Sequence, residues 1–279
     1  MIATAHDGHA NLWNSDVQPP IGECQLPVKV RFVNHLPVVT GFSSAVSNDP
    51  SKIKIGDILM QLDGTGVTEL VQSWAPYYSA SNDAARLEHI GRTMTRGECG
   101  DLSVIVRRGN WQLKLEVKRT PGSDDSSAQR HDLPGPTFRL LSKDVAYLKL
   151  SSVKAADAVH YIEQATGTKG LIIDIRNYPS QFVVFALGRH LVENATDFVR
   201  FTEGDLSNPG AFHWLKPISL SPEKPYYSGK VVILVDETSM SQAEYTAMAF
   251  QVAPGATVVG SAPRRVPMAT LVHPSCPAV

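Results

Sequence analysis

The segment Val231-Val232-Ile233-Leu234-Val235-Asp236-Glu237-Thr238-Ser239-Met240-Ser241-Gln242-Ala243-Glu244 decides the fold. Its apolar start is too short for a helix and does not alternate, so Lys230–Val235 reads as a strand buried on both faces. A short polar turn follows, and Ser241–Val252 reads as the helix that leaves it. Strand, turn and helix in that order are the unit of a parallel sheet covered by helices. The same unit recurs upstream, with strands at Val145–Leu150 and Gly170–Ile175 and helices at Ala155–Ala165 and Val183–Val192. Downstream, Ala256–Gly260 is a further short strand. The pattern predicts an α/β unit around a mostly parallel, buried sheet.

The earlier half of the chain has a different texture. Residues 21–120 are mainly β in pattern, with runs at Val28–Phe32, Val104–Arg107 and Leu113–Val117. Within them Lys54–Gly64 reads as a strand closed by an Asp-Gly turn, and Thr68–Tyr78 and Asp83–Met94 as helices. Residues 1–20 read as the end of a helical segment. Residues 121–137 have the composition of a linker, rich in Pro, Gly, Ser and Asp. The core unit then spans 138–260.

Bulk properties narrow the function class. The 279 residues are 43% apolar and 19% charged, as in globular proteins, and the net charge of −1 carries no footprint for nucleic acid or an anionic membrane. No apolar run reaches the roughly 20 residues that span a bilayer. Met1–His9 has neither the basic nor the apolar part of a secretory signal. Three cysteines, Cys24, Cys99 and Cys276, lack metal-ligand spacing. Buried free thiols are the expectation for Cys24 and Cys99, with a disulfide between them as the alternative in an exported protein.

Ser241 is the residue with chemical promise. A hydroxyl at a helix N-terminus faces unpaired backbone N–H groups and the positive end of the dipole, which stabilise a developing oxyanion. The plainer reading is an N-cap, with Ser239 or Ser241 and Glu244 forming a capping box.

Four blocks in order carry a resemblance. Ser239-Met240-Ser241-Gln242-Ala243-Glu244 resembles the Ser-x-Ser-x-x-Glu block of the tail-specific (C-terminal processing) serine peptidases, whose second serine is the nucleophile. Lys169–Asn177 is similar to their strand and turn ahead of the oxyanion-hole loop. Lys54–Gly64 resembles the Gly-Asp strand of their PDZ-like domain, and Gly255–Gly260 the strand after the nucleophile helix. The resemblance implies an α/β core of the ClpP/crotonase-like type, here incomplete, preceded by a PDZ-like, mainly β domain. It implies peptide-bond hydrolysis through an acyl-enzyme at Ser241, on unfolded or C-terminally exposed polypeptides, with no cofactor and no metal. Relatives are commonly exported, which implies a periplasmic or secreted parent protein.

The departures direct the choice of the other residues. The lysine base of one branch would fall just beyond Gly260, where this chain has Ser261-Ala262-Pro263-Arg264-Arg265-Val266. The histidine-using branch, typified by the tricorn core protease, has a motif that Asp7-Gly8-His9 resembles, so His9 is the candidate base. The oxyanion hole is expected from the N–H groups of Gln242 and Tyr178, since Pro179 has none to give. Glu244, Asp174 and Arg176 are candidate site-organising residues, the last two either as substrate contacts or as an ion pair that fixes the turn. The triad acid has no candidate. Residues 261–279 lack any period, and a codon reading one base back permits a Thr-Ala-Pro-Gly-Ala-Asp-Gly-Asn string like that branch's next segment. A one-base slip near Ser261–Pro263, and a core incomplete at both ends of the chain, are therefore expected. A non-catalytic peptide- or lipid-binding module on the same fold is the alternative function, and a PDZ-type interaction module a further one.

Overall fold

The computed structural model describes residues 4, 6–8, 22–42, 53–121, 131–236 and 238–260. The chain divides into two compact units, Met1–Ala128 and Gln129–Val279. Residues 261–279, most of 1–21 and His9 lie outside the described residues.

The first unit is built from β1 (Cys24–Gln25), β2 (Val28–Val33), β3 (Leu36–Phe42), β4 (Ile58–Leu62), β5 (Thr65–Gly66), α1 (Val67–Trp74), α2 (Asp83–Thr93), β6 (Arg96–Gly97), β7 (Gly100–Arg108) and β8 (Trp111–Pro121). The strands pair antiparallel in the order β2-β3-β4-β7-β8-β1-β6, with β5 on β4. Every second residue of β7 is buried (Leu102, Val104, Val106), as a strand with one face on a core requires. Those side chains meet Ile90 and Met94 from the end of α2, together with Val39, Ile53 and Leu59. Asn82 caps α2 by accepting from the Ala85 N–H at 2.9 Å.

The Gly-Asp pair of the Lys54–Gly64 block has a structural use. Gly56 takes φ +91°, a backbone that other residues rarely adopt. It delivers Asp57 to a buried position, where Arg108 grips the carboxylate with bonds of 2.7 Å to each oxygen. The Lys54 N–H adds a third bond at 2.8 Å. Burial pushes this carboxyl up, but the Arg108 and Lys54 contacts outweigh it and hold the group below its ordinary range.

Cys24 and Cys99 are not free thiols: they form a disulfide, with Cα atoms 5.0 Å apart. Pairing of β1 with β6 brings Cys24 opposite Gly97, two residues from Cys99.

The second unit holds β9 (Phe138–Ser142), β10 (Val145–Lys149), α3 (Ala158–Ala165), β11 (Gly170–Asp174), α4 (Val184–Gly188), β12 (Thr196–Val199), β13 (Thr202–Gly204), β14 (Phe212–Trp214), β15 (Ile218–Leu220), β16 (Lys230–Val235), α5 (Gln242–Gln251) and β17 (Thr257–Gly260). Its main sheet runs β17-β16-β11-β10-β9, parallel except for β9. One face is closed: Leu171, Ile173, Val231 and Ile233 pack with Ile162 of α3, Leu187 of α4 and Phe250 of α5. On the other face Ile172, Val232 and Leu234 are only half-buried, so the sheet is less enclosed than its apolar runs predict.

The helix predicted over Val183–Val192 is shorter, Val184–Gly188. Gly188 lies so close to Leu220 that a Cβ there would sit 2.9 Å from a leucine methyl. Beyond it the chain turns, and buried His190 bonds through Nδ1 to the Pro225 carbonyl at 2.8 Å. Tertiary contacts override the apolar period here. The two small ladders β12–β15 and β13–β14 have no counterpart in the predicted elements.

Because the disulfide joins residues 75 apart, it removes considerable entropy from the unfolded first unit. Replacing both Cys24 and Cys99 by Ala is expected to cost up to about 4 kcal/mol of that unit's stability. Urea unfolding of the wild type with and without reductant, alongside the double variant, checks this: reduced wild type and variant should unfold together.

Candidate active site

Strands β11 and β16 are neighbours in register, Asp174 opposite Leu234, so both end at the same level of the sheet. The turns that follow them therefore emerge side by side at the carboxyl edge, where open α/β sheets bind ligands. Side chains stitch the turns together. Thr238 Oγ1 donates to the Arg176 carbonyl at 2.8 Å and Ser239 Oγ to the Ile175 carbonyl at 3.0 Å. Gln242 Nε2 donates to the Gln181 carbonyl at 2.9 Å.

Within the second turn the two serines differ. Ser239 is buried, and its hydroxyl also accepts from the Asp236 N–H at 3.0 Å, so it holds the turn in shape. Ser241 is half-buried and has φ +57° and ψ −118°. The Ala243 N–H donates to the Met240 carbonyl at 3.1 Å, which makes Met240–Ala243 a type II′ turn with Ser241 at its first central position. Glycine takes that conformation freely; for serine it costs on the order of 1–3 kcal/mol. Glu244, one turn into α5, accepts from the Ser241 N–H at 2.9 Å and pins the strained residue.

Each turn also contains a buried carboxylate bonded both from its own turn and from elsewhere in the unit. Asp174 receives Arg176 through bonds of 2.9 and 2.6 Å and the Tyr147 hydroxyl at 2.7 Å. Of the two readings for Asp174 and Arg176, this geometry is the ion pair that fixes the turn. Asp236 accepts from the Thr238 N–H at 2.8 Å and hydroxyl at 2.7 Å, and its other oxygen bonds His131 Nδ1. Burial pushes the Asp236 carboxyl up, but the bonds from His131 and Thr238 outweigh it, and the group lies below its ordinary range.

His131 belongs to a strap, residues 131–133, laid over the strand ends. The His131 N–H reaches Asn177 Oδ1 at 3.3 Å, and the Leu133 N–H reaches Tyr147 Oη at 3.0 Å. Lys149 Nζ donates to the Leu133 carbonyl at 3.2 Å, and Ser151 Oγ bonds Asp132. Sequence composition makes 121–137 a linker, and nothing in it marks His131 as part of a site. Asp236 carried a usable signal, being a charged residue directly after a buried strand.

Residues 144–272 match the model of peptidase family S41. Over that stretch the second unit matches this tail-specific peptidase family. The S41 match ends inside the stretch after Gly260 that shows no period in the sequence. The solved structure of mature CPAF complexed with lactacystin has the same fold, at TM-score 0.58 and 14% identity, over 85% of this chain and 69% of that one. A serine-to-alanine mutant of CPAF gives 0.61 at 13% identity, over 85% and 68%. No curated protein matches the chain.

The other candidates distribute as follows. Gln242 opens α5 beside Ser241, and Tyr178 lies in the facing turn with its ring exposed. His9 is outside the described residues; before it, Asp7 and Gly8 are held in the first unit by Ser79 and Ser81 at 2.6 and 3.3 Å. Among the described residues no group of three His, Cys, Asp or Glu side chains gathers to hold a metal. No described helix is long and apolar enough to cross a membrane. A cavity of about 370 Å³ lined by Val192, Glu193 and Tyr226 shares no residue with these two turns.

Two outcomes follow from this geometry. Ser241→Gly relieves the left-handed strain but loses the side-chain cap and should change stability little, whereas Ser241→Ala keeps the strain, loses the cap and should lower it by about 1 kcal/mol. Thermal unfolding of the pair separates them. Asp236→Asn should lower stability by about 2 kcal/mol at pH 7. Because the folded carboxyl titrates below its unfolded value of 3.8, its contribution is complete above that pH and lost as the pH falls through the depressed value. Urea unfolding should thus show wild type and variant converging in acid below about pH 3.5.

Proposed function

We propose that the chain is a serine peptidase that cleaves unfolded or C-terminally exposed polypeptides through an acyl-enzyme at Ser241. One observation carries the reading: Ser241, alone among the described residues of its turn, takes a strained left-handed backbone between a buried parallel strand and a helix, as a nucleophile elbow does. The S41 match over residues 144–272 supports it. The first unit is read as a PDZ-like domain and the second as a ClpP/crotonase-like core.

In this mechanism the Ser241 hydroxyl attacks the scissile carbonyl and gives its proton to an imidazole. The oxyanion lies against the N–H of Gln242 at the start of α5, where the helix dipole adds to it, and the N–H of Tyr178 in the facing turn. The base then protonates the leaving amine, and water releases the acyl group. Glu244 keeps Ser241 in position, and the Asp174–Arg176 pair keeps the facing turn. His9 is the base by resemblance to the histidine-using branch. His131 is the rival, because its imidazole already pairs with a carboxylate on the nucleophile turn, as in a Ser–His–acid arrangement. The Cys24–Cys99 bridge favours an oxidising compartment, periplasmic or secreted.

A fluorophosphonate probe tests the proposal. Labelling should fall on Ser241, vanish in Ser241→Ala and persist at Ser241 in Ser239→Ala. The rate should fall at least about a hundredfold in whichever of His9→Ala and His131→Ala removes the base. Peptide binding without labelling would instead make the chain a binding module on this fold.

A further inference from the structure

Beside the candidate nucleophile lies a set of aromatic rings that the chemistry above does not use. Tyr245 stands one turn after Ser241 on α5, its N–H bonded to the Ser241 carbonyl at 3.0 Å. Its ring stacks with Phe182 at 6.0 Å and 19° and with Phe201 at 6.2 Å and 29°. Phe182 follows Gln181, whose carbonyl is bonded by Gln242, so it flanks the nucleophile from the facing turn. Beneath these rings Phe198 meets Tyr245 edge-on at 5.2 Å, and Phe185 meets Phe182 and Phe198 at 6.0 and 6.1 Å.

The inner and outer rings differ in exposure. Phe198 is 2% exposed and closes the core, but Phe182 is 50% and Phe201 43% exposed. Half-bare phenylalanines on a shared stack make a contiguous apolar patch, not scattered surface residues. Arg200, next to Phe201 in the chain, is turned away: it lies over the Trp214 ring at 5.2 Å and donates to the Leu215 carbonyl at 2.9 Å. Arg189, by Phe185, is engaged with the Phe185 carbonyl at 2.9 Å and with Glu223.

Resting on the peptidase reading, we infer that Phe182, Phe201 and Tyr245 form the subsite for an aromatic or large aliphatic side chain of the polypeptide, beside the bond that Ser241 attacks. Its continuity with both turns identifies the occupant, since a chain laid across Ser241 has a side chain within reach of this stack. Ring stacking and apolar burial supply the preference.

The test separates binding from chemistry. Fluorescein-labelled Ala-Ala-Phe-Ala and Ala-Ala-Ala-Ala peptides are titrated by anisotropy onto the full chain carrying Ser241→Ala. The Phe peptide should bind about tenfold tighter or more. Adding Phe182→Ala or Phe201→Ala should abolish most of that advantage, while Phe212→Ala, on the exposed strand β14, should preserve it. Unfolding curves verify that the ring variants are folded. Equal affinity for the two peptides, no binding of either, or a Phe preference indifferent to Phe182 and Phe201 overturns the subsite. Fluorophosphonate labelling of wild-type Ser241 reads the chemistry separately. Labelling with equal peptide binding defeats the subsite alone; a ring-dependent Phe preference without labelling defeats hydrolysis alone.

Discussion

The parallel pairing of β11 with β16 is the constraint on which the second unit depends. Gly170 faces Lys230 and Asp174 faces Leu234, five residues without a bulge. A slip of one residue would reverse which side chains enter the core and shift one strand end by about 3.3 Å. Ile173 and Ile233, both fully buried, would then exchange places with half-buried neighbours, so the core itself enforces the register. What the register sets is the level at which two turns leave the sheet. Thr238 can reach the Arg176 carbonyl, and Ser239 the Ile175 carbonyl, only because the strands end together.

Rigid turns at a sheet edge must also solve an electrostatic problem. Asp174 and Asp236 are both buried, and an unpaired carboxylate there would cost several kcal/mol. Each is answered differently. Asp174 is gripped by its near neighbour Arg176 and by Tyr147, whose phenol is pushed up by burial and the adjacent carboxylate and stays a donor. Asp236 depends on His131, 105 residues away, so the turn that holds Ser241 is complete only when the strap is seated. Left-handed strain at Ser241 persists because these bonds over-determine the surrounding backbone.

Much of this was legible in sequence. The apolar runs at 145–150, 170–175 and 230–235 give strands within a residue of those observed, since periodicity and length leave few other choices. The spacing Ser239-Met240-Ser241 placed the second serine at the head of a helix, where α5 begins. Other features had no local signal. Strands β13 and β14 pair with exposed Phe212 and Trp214 in place of a buried stripe, and β12 and β15 bury Phe198, Val199 and Leu220 in runs too short to show a period. The Cys24–Cys99 bridge depends on β1 meeting β6 across the chain, and the strap depends on carbonyl and amide groups that composition does not encode. The half-open sheet face differs from its prediction because apolar content reports what a residue tolerates, not what covers it.

Sequence alone leaves Ser241 between a helix cap and a nucleophile, and the structure forms the capping box: the Ser241 side chain accepts from the Glu244 N–H while Glu244 closes on the Ser241 amide. A capping serine sits in the extended region, from which its oxygen reaches back to the first helical N–H groups. Ser241 instead has φ +57°, although Glu244 still closes on its amide. Satisfying the helix start does not need that conformation, since a serine in the extended region caps equally well. Serine in this place caps α5, but at a backbone cost that an extended N-cap does not carry. The strain beyond what a cap needs fits a hydroxyl held at the head of α5 next to the facing turn, and this supports a nucleophile in addition to the cap.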